Sequence, residues 1–230
     1  MLPTRLLMHA SSVITVPTRS LQFTAASSRY LSMSGANFGM LNTKKWTYHV
    51  WFKRGGTGTT QYIFQKINGS FTVHPLNVLF SSGNVLDIRI RDASLSIIGR
   101  LVTTASYTDS NWHQLTVYWD TANATSADRM QLYVDHVRVT SFSTNTQPAL
   151  NADMGEASDT SAYIGTNGGT GSYYDGFLYQ QAVFNNALPA ISVLHSGGHP
   201  VDIRGVSGNH SLFHTTAAST LEDDEVLTPH

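Results

Sequence analysis

The sequence predicts an all-β protein: a two-sheet antiparallel sandwich with one short C-terminal helix. Three observations carry this. Apolar and polar residues alternate with period two through many short runs rich in Val, Ile, Thr and aromatics. Small polar and glycine-bearing turns separate those runs. A single stretch, Pro189–Ser196, reads as a helix, with Pro189 near its first turn and Gly197–Gly198 after its end.

Leu21–Thr24 and Tyr30–Met33 open the series as short strands, and Trp46–Arg54 follows as a longer one, closed by Gly55–Gly58. Tyr62–Ile67 comes next, then Asn77–Phe80 and Val85–Arg91 around Ser-Ser-Gly-Asn, a hairpin signal. Leu95–Val102 is a further strand. Trp112–Asp120 places His113, Leu115, Val117 and Trp119 on one face and Trp112, Gln114, Thr116 and Tyr118 on the other. Met130–Val134 and Val137–Thr140 meet through Asp135–His136, a two-residue turn that asks for positive φ. Ala162–Gly165 and Gly176–Phe184 complete the set.

The 230 residues suffice for one large β domain without staples, and the absence of cysteine excludes disulfides, zinc–thiolate sites and thiol nucleophiles. Charged side chains make up 13% of the chain, about half the usual share, so hydroxyls and amides supply its polarity. A net charge of −1 argues against nucleic acid as a partner. Lys and Arg stand alone among charged residues up to residue 86, whereas all 15 acids follow, four of them in Glu222–Glu225. A sandwich interleaves early and late strands and so mixes these charges; the sharper alternative is a basic early part that faces an acidic partner. No run approaches the length of a membrane helix. At the N-terminus, His9, Ser11, Ser12 and Thr15 interrupt Leu6–Val16, so an extended arm with Val13–Val16 as a strand is expected rather than a signal peptide. The acidic end, Leu221–His230, reads as a mobile segment or an interaction tail.

Catalytic patterns are missing. The sequence has no Gly-x-Ser-x-Gly elbow and no Glu-x-Asp-x-x-Glu strand for a glycosidase, and before residue 222 its one glutamate is Glu156. The glycine-rich stretch Gly165–Gly176 leads into a strand, not into the helix that a phosphate cradle needs. His195/His199 and His210/His214 have the four-residue spacing of helical metal ligands, but Gly197–Gly198 breaks the first pair's helix and the second lies in an unpatterned tail. His113, among apolar neighbours, reads as a satisfied core or interface histidine. Tyr173 and Tyr174, beside Asn167 and Asp175, are the candidates for a glycan site, because an aromatic plane suits the apolar face of a pyranose. The bland alternative has one tyrosine capping the core and the other simply exposed.

Several segments, in order, resemble laminin-G-like, concanavalin A-like jelly-roll domains. Trp112–His113 runs to Trp119–Asp120 after Asp109–Ser110; Leu132–Tyr133–Val134–Asp135 follows, with His136 where the family has Gly; Tyr174–Asp175–Gly176 then leads to Val183–Phe184–Asn185–Asn186–Ala187–Leu188. Residues 21–33 look like the family's opening hairpin and Tyr48–Arg54 like its tryptophan-bearing strand. The resemblance covers about residues 20–198, and implies a jelly roll with residues 1–20 as an arm, 21–198 as the sandwich and 199–230 as an extension. The stretch from Ser196 to His214 also resembles the ends of such domains in tailed-phage structural proteins. That implies a non-enzymatic virion protein, a capsid decoration or tail-associated protein whose partners are the major capsid protein, further copies of itself or a host-surface glycan. A secreted carbohydrate-binding lectin is the alternative, and a glycoside hydrolase the remote one. No cofactor is expected, with calcium as the alternative. Many relatives hold calcium, but Thr24–Ala25 and Tyr179–Gln180 stand where they often have Asp-Gly and Asp-Glu, which leaves Asp175, Asp109, Asp153 and Asp159.

Overall fold

The computed structural model describes residues 20–33, 41–67, 74–155, 161–203, 205–207 and 209–211. Sixteen strands form along them: β1 (Leu21–Phe23), β2 (Leu31–Met33), β3 (Lys45–Arg54), β4 (Gln61–Ile67), β5 (Leu76–Phe80), β6 (Val85–Arg91), β7 (Ile97–Ser106), β8 (Trp112–Asp120), β9 (Met130–Val134), β10 (Val137–Arg138), β11 (Phe142–Thr146), β12 (Ser161–Ile164), β13 (Gly176–Asn185), β14 (His195–Ser196), β15 (His199–Pro200) and β16 (Asn209–Ser211). Two antiparallel sheets hold all but two of them. The first has the order β1-β13-β3-β8-β9-β10, with β16 also on β13; the second has the order β11-β7-β6-β5-β4-β12-β2. β3 lines one edge of β13, while β1 (opposite Gly176–Leu178) and β16 (opposite Ala182–Phe184) share its other edge end to end.

The alternation read from the sequence decides the layers. Trp46, Tyr48, Val50 and Phe52 of β3 and Leu115, Val117 and Trp119 of β8 enter the core, where they meet Phe64, Val78, Phe80, Ile88 and Leu101 from the second sheet. Trp46 and Trp119, opposite one another in register, stack at 6.0 Å, and the Trp119 indole N–H donates to the Thr43 carbonyl at 2.9 Å. Gly99 makes room for this pair: a Cβ there would lie 2.8 Å from Trp119 Cζ3 and 3.1 Å from Met130 Sδ. The Asp135–His136 turn adopts φ 49° and 69°, as a two-residue hairpin requires.

Three expectations change. The helix over Pro189–Ser196 is instead a single 3-10 turn, Ile191–Val193, followed by the two-residue strands β14 and β15. Gly197–Gly198, at φ 57° and 80°, turn the chain back as a ribbon, and buried Leu194 and Ile203 pull it onto Ala182 and Phe184. The opening hairpin does not pair, because β1 joins β13 and β2 joins β12 across the sandwich, with a 3-10 turn at Ala25–Ser27 between them. β11 is an additional edge strand whose sequence, Phe-Ser-Thr-Asn-Thr, is too polar to announce itself. The expected strand at Val13–Val16 and the acidic end lie outside the described residues.

The segment after β13 covers the outer side of the first sheet. Tyr118 Oη donates to the Pro189 carbonyl at 2.6 Å, Thr47 Oγ1 donates to the Ala187 carbonyl at 2.9 Å, and the Gln180 amide donates to the Val201 carbonyl. A polar layer is thereby sealed: His49, Gln114 and Thr116 are fully buried, and His49 Nδ1 lies 3.1 Å from Thr116 Oγ1. Burial pushes the His49 imidazole from 6.5 down to about 3; His136 and His195 add to this, and Gln180 opposes it.

Gly99→Val should overpack the Trp119 pocket and cost roughly 1–3 kcal/mol in urea unfolding; an unchanged midpoint would show that the pocket yields. The depressed His49 value carries a sign. The unfolded chain takes up a proton near pH 6.5 and the folded one only near 3, so acidification across that window destabilises the fold. His49→Gln should lose less stability than the wild type between pH 7 and 4, and identical pH dependences would discount His49.

Candidate functional site

The loop Gly165–Asp175 carries the residues singled out from the sequence, and the structure divides them. Tyr174 is fully buried, with its hydroxyl donating to the Lys53 carbonyl at 3.0 Å and its ring edge-on to Phe23 at 6.1 Å. As a core residue it offers no face to a sugar. Gly176 explains this placement: at φ 137°, a Cβ on it would lie 2.1 Å from the Lys53 carbonyl oxygen, so the chain enters β13 pressed against β3. Asp175 sits at this junction, its carbonyl accepting from the Gly55 N–H at 2.9 Å. Tyr173 and Asn167 turn the other way, toward the outer face of the second sheet. Tyr173 stacks on Tyr30 at 6.4 Å, and Asn167 Oδ1 accepts from Gln65 Nε2 at 3.1 Å.

That outer face has an order only the strand pairing reveals. Arg100, Arg89, Asn77, Gln65, Tyr163 and Ser32, from β7, β6, β5, β4, β12 and β2, are successive register partners and form one polar row across six strands. At adjacent strands ~4.8 Å apart, the row spans ~24 Å. Its middle is sealed: Gln65 and Asn77 are buried, and Gln65 Nε2 lies within 3.1 Å of His74 Nδ1, Asn77 Oδ1 and Asn167 Oδ1, while its Oε1 finds no partner among the described residues.

The two ends are open. At one, Tyr30 is 42% exposed and sits 6.3 Å from Tyr163 and 6.4 Å from Tyr173, a platform of three rings. At the other, the Asp87 side chain, only 2% exposed, is gripped by two guanidiniums. Arg89 Nε donates to its Oδ2 at 3.0 Å, Arg100 Nε to its Oδ1 at 3.1 Å and Arg100 Nη2 to its Oδ2 at 2.8 Å. Burial alone would raise the Asp87 carboxyl; the hydrogen bonds from Arg100 and Arg89 outweigh it and hold the group below its ordinary 3.8. Sequence reasoning passed over these residues. Asp87-Ile-Arg89-Ile-Arg91 was the available signal, since its alternation puts three charges on one face.

The remaining candidates are engaged elsewhere. His113 bonds Asp135 at 2.7 Å and Asp109 at 3.0 Å, which raises its imidazole and helps to hold the Asp135 carboxyl down against burial; the Asp109 carboxyl is lowered first by the Asn111 backbone N–H and then by His113. Asp153 accepts from Thr43 Oγ1 at 2.6 Å, and Asp159 lies outside the described residues. His195 belongs to β14, where its ring stacks on His136 at 3.4 Å instead of joining His199; His210 and His214 lie outside the described side chains. Among the described residues no group of three His, Asp or Glu is placed to hold a metal ion.

The comparisons with known proteins fit this architecture. Residues 25–193 match the family model of the concanavalin A-like lectin/glucanases superfamily. The chain belongs to that superfamily. No curated protein matches it. Among solved structures, the heptameric SAP-like pentraxin of Limulus polyphemus superposes with a TM-score of 0.52 at 16% identity, over 76% of this chain and 80% of that one. The CBM40 module of the Ruminococcus gnavus IT-sialidase gives 0.50 at 11% identity, over 76% and 96%. A putative carbohydrate binding protein of Bacteroides ovatus gives 0.50 at 13% identity, over 76% and 45%. At such identities the likeness is one of fold.

Asp87→Asn should weaken the grip on both arginines and cost roughly 1–3 kcal/mol near neutral pH. A lowered carboxyl contributes stability above its unfolded value and loses it as pH falls through the folded one. The gap between variant and wild type in thermal melts should therefore close below about pH 3.8; a gap independent of pH would assign the loss to packing.

Proposed function

We propose that the protein is a non-enzymatic carbohydrate-binding module whose ligand lies on the outer face of the second sheet. The observation that carries this is the exposed Tyr30 ring set beside Tyr163 and Tyr173 at the end of a polar row. An aromatic face takes the C–H side of a pyranose, while fixed polar side chains along the row orient its hydroxyls. Gln65 and Asn77 hold the row rigid, so little ordering is left to be done on binding.

The similar folds support this reading, since the CBM40 module is described bound to α2,3-sialyllactose and the Bacteroides protein as carbohydrate binding. The face argues against turnover: the carboxylate beside the row, Asp87, is buried between two guanidiniums, whereas glycoside hydrolysis asks for a pair of carboxyl groups flanking the bond. Sugar binding, second in the reading of the sequence, thus moves ahead of a place on a phage particle, which neither the described residues nor these similar folds support.

A second concavity, between Tyr118, Asp120, Asn123, Asp128 and Tyr133 on the first sheet, is less suited. Its two tyrosines meet edge-on at 5.4 Å, and their hydroxyls are spent on Pro189 and Gln131.

Tyr30→Ala should leave the melting temperature nearly unchanged and lower affinity for glycans bound by the wild type on an array by roughly tenfold, the worth of an aromatic contact. Retention of full affinity would move the site off this face.

A further inference from the structure

We infer that the arginine end of the row binds the acid group of an anionic oligosaccharide, a carboxylate or sulfate carried on a sugar. This rests on the carbohydrate-binding reading and names the ligand class for that same face.

Arg89 and Arg100 are direct register partners on β6 and β7, and both point Nε and Nη2 at Asp87. Each guanidinium has five N–H donors. One edge is therefore anchored to a buried acid and the Nη1 side is left over, on side chains 27% and 32% exposed. A third guanidinium, Arg91, follows Arg89 on the same strand face. It makes no ion pair among the described residues; its Nη1 lies 3.5 Å from the His74 carbonyl oxygen and donates at 3.1 Å to the Asn77 side-chain oxygen, in the amide orientation that satisfies both groups. Three guanidiniums thus face one carboxylate, an excess of two positive charges on a partly desolvated sheet surface. Tyr62, opposite Leu79 in the row of Asp87, borders the group.

Anions answer this arrangement better than hydroxyls do. Planar guanidiniums held by one edge present paired donors that match a carboxylate or sulfate, and charge-assisted bonds are about twice as strong as neutral ones. The anchoring by Asp87 has already removed much of the rotamer freedom that binding would otherwise have to quench. Reach sets a minimum size. Arg89 and Tyr163 are three strand steps apart, ~14 Å, so a single sugar cannot both stack on the tyrosines and pair with the arginines. The face selects an acidic oligosaccharide with its charge two or more residues from the stacked ring.

The test is titration calorimetry of the full chain with tetragalacturonate, its carboxyl-reduced neutral counterpart and a heparin-derived tetrasaccharide, alongside an array of acidic and neutral glycans. Acidic ligands should bind roughly tenfold or more tightly than neutral counterparts, with affinity falling as salt rises. Arg91→Gln, which leaves Asp87 its two partners and removes one of the three positive charges, should lower that preference several-fold while the melt stays intact. Binding of tetragalacturonate would show that carboxylates suffice, binding of the heparin tetrasaccharide alone would point to sulfate, and selective binding of either upholds the inference. Neutral glycans bound as well as acidic ones, or acid preference unchanged in Arg91→Gln, would overturn it while leaving sugar binding standing. No glycan of either class bound would overturn both.

Discussion

The register between β3 and β8 fixes everything else in this molecule. Trp46 opposes Trp119 and Val50 opposes Leu115, and nine consecutive pairs link the two strands. Strand side chains alternate, so a slip by one residue would turn the indoles to the outer side of the sheet and drive Tyr118 and Thr116 into the space between the sheets. The stacked tryptophans, the notch at Gly99 and the bond to the Thr43 carbonyl leave one register in which the core closes. Once it closes, the second sheet must present Phe64, Val78 and Ile88 inward, and Gln65, Asn77 and Arg89 turn outward as a consequence.

One stretch of chain, the segment after β13, covers the outer side of the first sheet. β3 is nearly continuous in its burial because the segment after β13 lies over its outer residues. Those residues include His49, whose imidazole is kept neutral by burial. A sheet wrapped in this way has little surface left for recognition there. The second sheet keeps its outer face partly open, with charged and aromatic side chains at the two ends of a sealed centre. The division of labour follows from where Leu194 and Ile203, in the segment after β13, find partners.

Local alternation made most strands legible, and Trp112–Asp120 emerged with both ends and both faces as read. Order within the sheets was not, because β1 and β2 are close in sequence yet lie in different sheets. The candidate site shows the same limit. Asn167 and Tyr173 do reach the outer face, but Tyr174, next to Tyr173, points into the core, and two adjacent tyrosines in a loop give no clue as to which is which. The arginine row was invisible for a stronger reason: Arg89 and Arg100 become neighbours only through pairing of β6 with β7, and Gln65 and Tyr163 only through pairing of β4 with β12. Expected helical propensity at Pro189–Ser196 yielded to the burial of Leu194, a tertiary effect no local window contains.

β1 and β16, lying end to end on one edge of β13, have a mechanical consequence. Leu21 begins opposite Leu178 and Ser211 ends opposite Ala182, so the backbone comes into the first sheet and goes out of it within a few residues of the same spot. Tension between these two points would peel short strands from an edge, a few hydrogen bonds at a time, while the pairing of β3 with β8 carried no load. Cargo attached at either point would sit beside the first sheet and leave the arginine and tyrosine face of the second turned outward, like a badge pinned by one side.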